Sequence, residues 1–134
     1  MSQSFKYKNN MYLDSTGVAY NKATLKSKLD SIGKVYSVTA SGKTVNQNTA
    51  NYPISLTLPA GTYVVVGYFE YWGSDLRYYL TLYNTAMSAY DNAGYVAGNI
   101  TDIAELTKQT TISLMIWPSK TVSVSAKLMA VRIR

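Results

Sequence analysis

A chain of 134 residues with 13 basic and 7 acidic side chains, formal net charge +6, is long enough for one domain with a core of its own. It contains no Cys and no His, which excludes a disulfide framework, a thiolate metal site and the commonest general base and metal ligand. Only 15% of residues are charged, against roughly 25% in ordinary soluble domains, while Tyr occurs 13 times; that balance suits β-structure and a surface that associates with something.

In chain order, residues 1–33 form a connector. Met11-Tyr12-Leu13 and Val18-Ala19-Tyr20 flank Asp14-Ser15-Thr16-Gly17, a turn tetrapeptide, and predict a small hairpin. A short helix is expected over 22–32, where Leu25, Leu29 and Ile32 fall on one face. Asn21 or Thr24 is placed to cap its start, and Gly33 stands where a left-handed residue closes a helix. Three such apolar stripes would make a small bundle, so the segment reads as a neck.

Residues 34–134 switch to period two and form the head. Strands are expected at Val35–Ser41, Tyr52–Leu58, Tyr63–Trp72, Leu76–Asn84, Ser88–Ala97, Thr110–Trp117 and Thr121–Arg134. Ser41-Gly42-Lys43, Pro59-Ala60-Gly61, Gly73-Ser74-Asp75 and Pro118-Ser119-Lys120 punctuate them. Asn99–Lys108, with Ile103 and Leu106 at i, i+3, reads as a helical turn or loop. The pattern predicts an all-β, antiparallel jelly-roll sandwich. Along the last strand Val122, Val124, Ala126, Leu128 and Ala130 share one face, and the opposite face runs from polar to apolar. Tyr63–Trp72 is apolar on both faces. Two strands of that kind predict a second buried surface, a subunit contact.

The run Leu58-Pro59-Ala60-Gly61-Thr62-Tyr63-Val64-Val65-Val66-Gly67-Tyr68 resembles the strand entry of tumour-necrosis-factor-like jelly rolls, including those at phage fibre tips. The ending Leu128-Met129-Ala130-Val131-Arg132-Ile133-Arg134 is similar to the terminal strand of such heads, and Tyr12-Leu13-Asp14-Ser15-Thr16-Gly17-Val18 to connectors in tail proteins of phages of Gram-positive bacteria. The resemblance implies a homotrimer at the end of a tail fibre, joined to other tail proteins and bound to a host surface glycan. It carries over no binding residue. A chain ending inside its last strand is expected where that strand lies at a subunit axis.

Catalysis is not expected. The acids offer at most Glu70 facing Asp75 across a turn, or Asp75, Asp91 and Asp102 around an ion, and no close-spaced acidic loop exists. We expect no cofactor and no metal. Arg77-Tyr78-Tyr79 could stack bases, yet adjacent strand residues point to opposite faces, so nucleic acid is not expected either. Saccharides rest their apolar faces on aromatic rings while polar side chains read their hydroxyls. The densest candidate is Tyr71, Trp72, Asp75, Arg77 and Tyr79, with burial of Trp72 at a trimer seam as the competing reading; Tyr90–Tyr95, equally a plain hairpin, and Trp117, read first as core or rim packing, come after it. The expected ligand is a cell-surface polysaccharide, teichoic acid included; a basic excess would steer an anionic polymer, although the scattered lysines read first as generic solubility. The competing reading is a baseplate or capsid decoration trimer without a sugar site. Met1-Ser2-Gln3-Ser4-Phe5-Lys6 lacks the apolar core of a signal peptide, and no run approaches the roughly 20 apolar residues of a membrane span. The expected setting is the virion, after synthesis in the bacterial cytoplasm, without membrane insertion.

Overall fold

The computed structural model describes residues 5–7, 11–13, 19–21, 26–27, 30–82, 85–91 and 95–134. The chain divides into two compact units, Met1–Lys34 with Arg134, and Val35–Ile133. In the first, β1 (Phe5–Tyr7), β2 (Met11–Leu13) and β3 (Ala19–Asn21) form an antiparallel sheet in that order. β2 and β3 are the arms of the expected hairpin, with Tyr12 opposite Tyr20. β1 is an addition: three residues are too few to display a period. Asn21 is the last residue of β3. Lys26, Ser27, Asp30 and Ser31 are helical, and Gly33 has φ +84°, the left-handed conformation that ends a helix. Thr24 and the stripe residues Leu25 and Leu29 lie outside the described residues.

The second unit contains eight strands: β4 (Val35–Val45), β5 (Asn51–Leu58), β6 (Gly61–Trp72), β7 (Leu76–Leu82), β8 (Thr85–Asp91), β9 (Tyr95–Leu106), β10 (Thr110–Pro118) and β11 (Val122–Arg132). They form two antiparallel four-stranded sheets, a first in the order β4-β11-β6-β9 and a second in the order β5-β10-β7-β8. Every connection except β7–β8 passes from one sheet to the other, so the unit is a jelly roll. Period-two alternation explains the core. Tyr63, Val65 and Phe69 of β6 and Val122, Val124, Ala126, Leu128 and Ala130 of β11 turn inward. They meet Leu76, Tyr78, Leu80 and Leu82 of β7 and Ile112, Leu114 and Ile116 of β10. Phe69 and Tyr78 cross edge to face, with ring centroids 4.8 Å apart.

Three expectations need correction. Ser88–Ala97 is not one strand: β8 ends at Asp91 in the second sheet, and β9 begins at Tyr95 in the first. Asn99–Lys108 is not a helical turn, since β9 runs on to Leu106 in full register with β6. Asp102 takes an inward position between Ile100 and Ala104, which breaks the apolar alternation and leaves Ile103 and Leu106 looking helical. Its carboxylate accepts a hydrogen bond from the backbone N–H of Ile103 at 2.8 Å. Ser41-Gly42-Lys43 does not end a strand but bulges within β4, where the pairing with β11 slips between Val124 and Ala126. Gly42 supplies the positive φ, +64°.

Candidate functional site

The sequence places Tyr71, Trp72, Asp75, Arg77 and Tyr79 in one patch. The structure distributes them. Tyr71 points inward at the end of β6, half-buried against the core, and its ring lies over Gly73, leaving no room for a Cβ there. Trp72 alternates to the outer face of the first sheet and is 77% exposed. Asp75 is in the connecting turn with φ +58°. Arg77 and Tyr79 stand on the outer face of the second sheet. The β6–β7 connection crosses between sheets, so Trp72 and Tyr79 lie on opposite sides of the sandwich. The turn is anchored by Lys120, whose Nζ donates to the carbonyl of Ser74 at 2.9 Å. Ser119 adds two bonds to Arg77: its Oγ accepts from the Arg77 N–H at 3.0 Å, and its own N–H donates to the Arg77 carbonyl at 2.8 Å.

What Tyr79 does meet is Trp117, its direct cross-strand partner on β10. The rings pack edge to face with centroids 5.6 Å apart. Below them β10 presents Met115, Ser113 and Thr111 outward. Ser113 is hydrogen-bonded to Ser55 at 2.7 Å and Thr111 to Thr57 at 2.8 Å, hydroxyl to hydroxyl across β5. A bulge in β5 opposite Met115 brings Tyr52 onto this face, 65% exposed, and the bulge on an edge strand is what accommodates Pro53. Tyr52, Thr81, Thr110, Thr111, Ile112, Ser113 and Met115 line an open groove of about 450 Å³. None of them is charged. The sequence singles out Trp117 and Tyr79 separately; their register is non-local and invisible in it. Of the Tyr90–Tyr95 candidate, residues 92–94 lie outside the described residues.

The outer face of the first sheet has different chemistry. Cross-strand register aligns Val35, Val131, Val64 and Ile103 in one apolar row. The next row is Ser37, Met129, Val66 and Thr101, and then Thr39, Lys127, Tyr68 and Asn99. Val35 and Ile103 are each 56% exposed. The polar end carries Glu70, whose Oε2 accepts from the Tyr68 hydroxyl at 2.9 Å. Among the described residues no three His, Cys, Asp or Glu side chains converge as metal ligands, and no helix is long and apolar enough to cross a membrane.

No family model matches the chain, and no curated protein does. Solved structures do. A chain of the T13 IBDV viral particle aligns with TM-score 0.55 and 16% identity over 74% of this chain and 31% of its own. A chain of the infectious bursal disease virus Gx strain aligns with TM-score 0.55 and 13% identity over 96% of this chain and 36% of its own. The globular domain of zebrafish complement 1qA protein aligns at 0.47 and 14% identity, over 75% and 97%. This chain therefore spans about a third of the virus chains it matches. At such identities the likeness to the two virus chains is one of fold, and it agrees with the jelly-roll topology read from the strand order.

Proposed function

We propose that this chain is the receptor-binding head of a bacteriophage tail fibre, a homotrimer in the virion that attaches to a host cell-surface polysaccharide without chemical turnover. The observation that carries the reading is the apolar row Val35–Val131–Val64–Ile103 on the outer face of the first sheet, backed by Met129 and Val66. A continuous apolar band on a sheet whose inner face already serves the core is the mark of an association surface. Its occupant is a second and third copy of the chain. The sequence resemblance to fibre heads supports threefold assembly, and the jelly-roll topology is compatible with it. Attachment to a glycan is supported by exposed aromatic rings beside hydroxyl side chains, and the missing His and Cys favour binding over catalysis.

Analytical ultracentrifugation tests the assembly. The protein is expected to sediment as a trimer at micromolar concentration. Val64→Lys with Val131→Lys is expected to sediment as a folded monomer, because each lysine would be desolvated at the contact. A wild-type monomer would sink the reading. Retention of the trimer on purified bacterial cell walls tests attachment, and its loss from every wall preparation would leave a purely structural virion role.

A further inference from the structure

We propose that the outer face of the second sheet is the attachment platform, and that its ligand is an uncharged polysaccharide lying along β10. This rests on the receptor-binding reading above and names the surface and the ligand chemistry for it. Three features converge there. Tyr79 and Trp117 form a packed aromatic pair at one end of the groove, and Tyr52 is held up on the bulge beside it. Both tyrosines are more than half exposed, 52% and 65%, so each presents an apolar ring with a polar hydroxyl to a ligand. From Thr111 to Trp117 the outward residues of β10 span about 20 Å, room for several sugar residues in a row.

The second feature is the hydroxyl ladder. Ser55–Ser113 and Thr57–Thr111 are paired across the strands. Each pair commits one hydroxyl hydrogen to its partner, so every pair keeps one further hydrogen and several lone pairs for an outside ligand. Those are the groups that read sugar hydroxyls, and the strands hold them in place without a loop having to close. Third, among the described residues the lining contains no charged side chain; Arg77 and Lys120 lie beyond the aromatic pair. A teichoic acid or a single-stranded nucleic acid would leave its phosphates unmatched along the groove, since both need a cationic track. A neutral glycan presents apolar ring faces and hydroxyls, and both find partners here. The surface is also on the side of the sandwich opposite the apolar row, so a contact made through that row leaves it open.

The two tryptophans provide the readout, because Trp72 and Trp117 are the only two in the chain and lie on opposite faces. Trp72→Phe isolates the fluorescence of Trp117. The full chain is tested on immobilised neutral polysaccharides (a glucan, a galactan, a mannan and a rhamnan), on lipoteichoic acid, on an oligothymidylate and on purified walls of several Gram-positive bacteria. We expect retention on at least one neutral polymer and on walls, insensitive to added salt, with the Trp117 emission shifted by the soluble polymer. Tyr79→Ala and Tyr52→Ala are each expected to weaken binding about tenfold, the size of one lost aromatic contact. Both side chains are at the surface, and unchanged sedimentation and melting would show that the variants fold. Wall binding that neither substitution alters would overturn the platform and leave the receptor-binding reading intact. Binding confined to lipoteichoic acid or the oligothymidylate, and lost with salt, would overturn the neutral ligand. Failure to bind any polymer or wall would overturn both readings.

Discussion

Position 98 accepts no side chain because two rings occupy the space one would need. A Cβ on Gly98 would come within 2.6 Å of Phe69 Cε1 and 2.8 Å of the Tyr78 ring and hydroxyl. These rings already pack against each other at 85° inside a closed core, so neither yields cheaply. Gly98→Ala is therefore expected to cost about 1–3 kcal/mol, read as a lower urea midpoint with an unchanged slope. An unshifted midpoint would show that the pair has slack. The same alternation that buries Tyr78 exposes Tyr79, and part of this is legible in the sequence: adjacent Tyr78 and Tyr79 point to opposite faces, so one of them is core, but not which one. What the sequence does not show is which residues become neighbours across the turn that follows Trp72. Glycine, serine and aspartate mark a reversal equally well whether the next strand pairs with the last or crosses to the other sheet. Here it crosses, and Trp72 and Tyr79 end up back to back.

Among the elements, the long strands are legible and their irregularities are not. β11 is found from period two alone, because inward Val, Ala and Leu alternate without a break, and β6 from a long run of β-formers that is apolar on both faces. β9 escapes because Asp102 sits on the inward side and interrupts that rhythm. The bulges in β4 and β5 escape because a bulge breaks the two-residue period, so that Tyr52, two residues before inward Ile54, stands outward. Asn51 is the device that fixes the second bulge to its loop. Its Oδ1 accepts from the Asn46 N–H at 2.9 Å. Its Nδ2 lies 2.9 Å from the carbonyl of Asn46, 3.0 Å from that of Thr49 and 3.3 Å from that of Ile116. Asn51→Ala strips these partners from a five-residue connection and is expected to cost about 1–3 kcal/mol. Limited proteolysis should then cut between residues 46 and 50 in the variant and leave the native protein whole. Equal resistance would mean that the loop is held by Asn48, whose N–H donates to the Pro118 carbonyl at 2.8 Å, and not by Asn51.

On the scale of the whole jelly-roll unit, the sandwich separates two chemistries onto its two outer faces. The first sheet shows a band of valine, isoleucine and methionine, and the second shows hydroxyls and tyrosines. Both faces are rich in β-formers, so composition alone cannot distinguish them; only register sorts valines into one row and serines into another. The separation has a thermodynamic consequence. If the apolar band is an interface between copies, folding and assembly are linked, and native chains are drawn into trimers by mass action while unfolded chains are not. The thermal midpoint of the wild-type protein should then climb as protein concentration is raised. Val64→Lys with Val131→Lys should melt lower, because the contact between copies is lost and the two lysines stand opposite each other across the strands, and its midpoint should be independent of concentration. Tyr79→Ala should keep the wild-type concentration dependence, since it changes the opposite face. Differential scanning calorimetry over a dilution series reads all three proteins. A wild-type midpoint that stays fixed across the series would mean that the band is not a subunit contact, and parallel loss of the dependence in Tyr79→Ala would mean that the two faces are not independent.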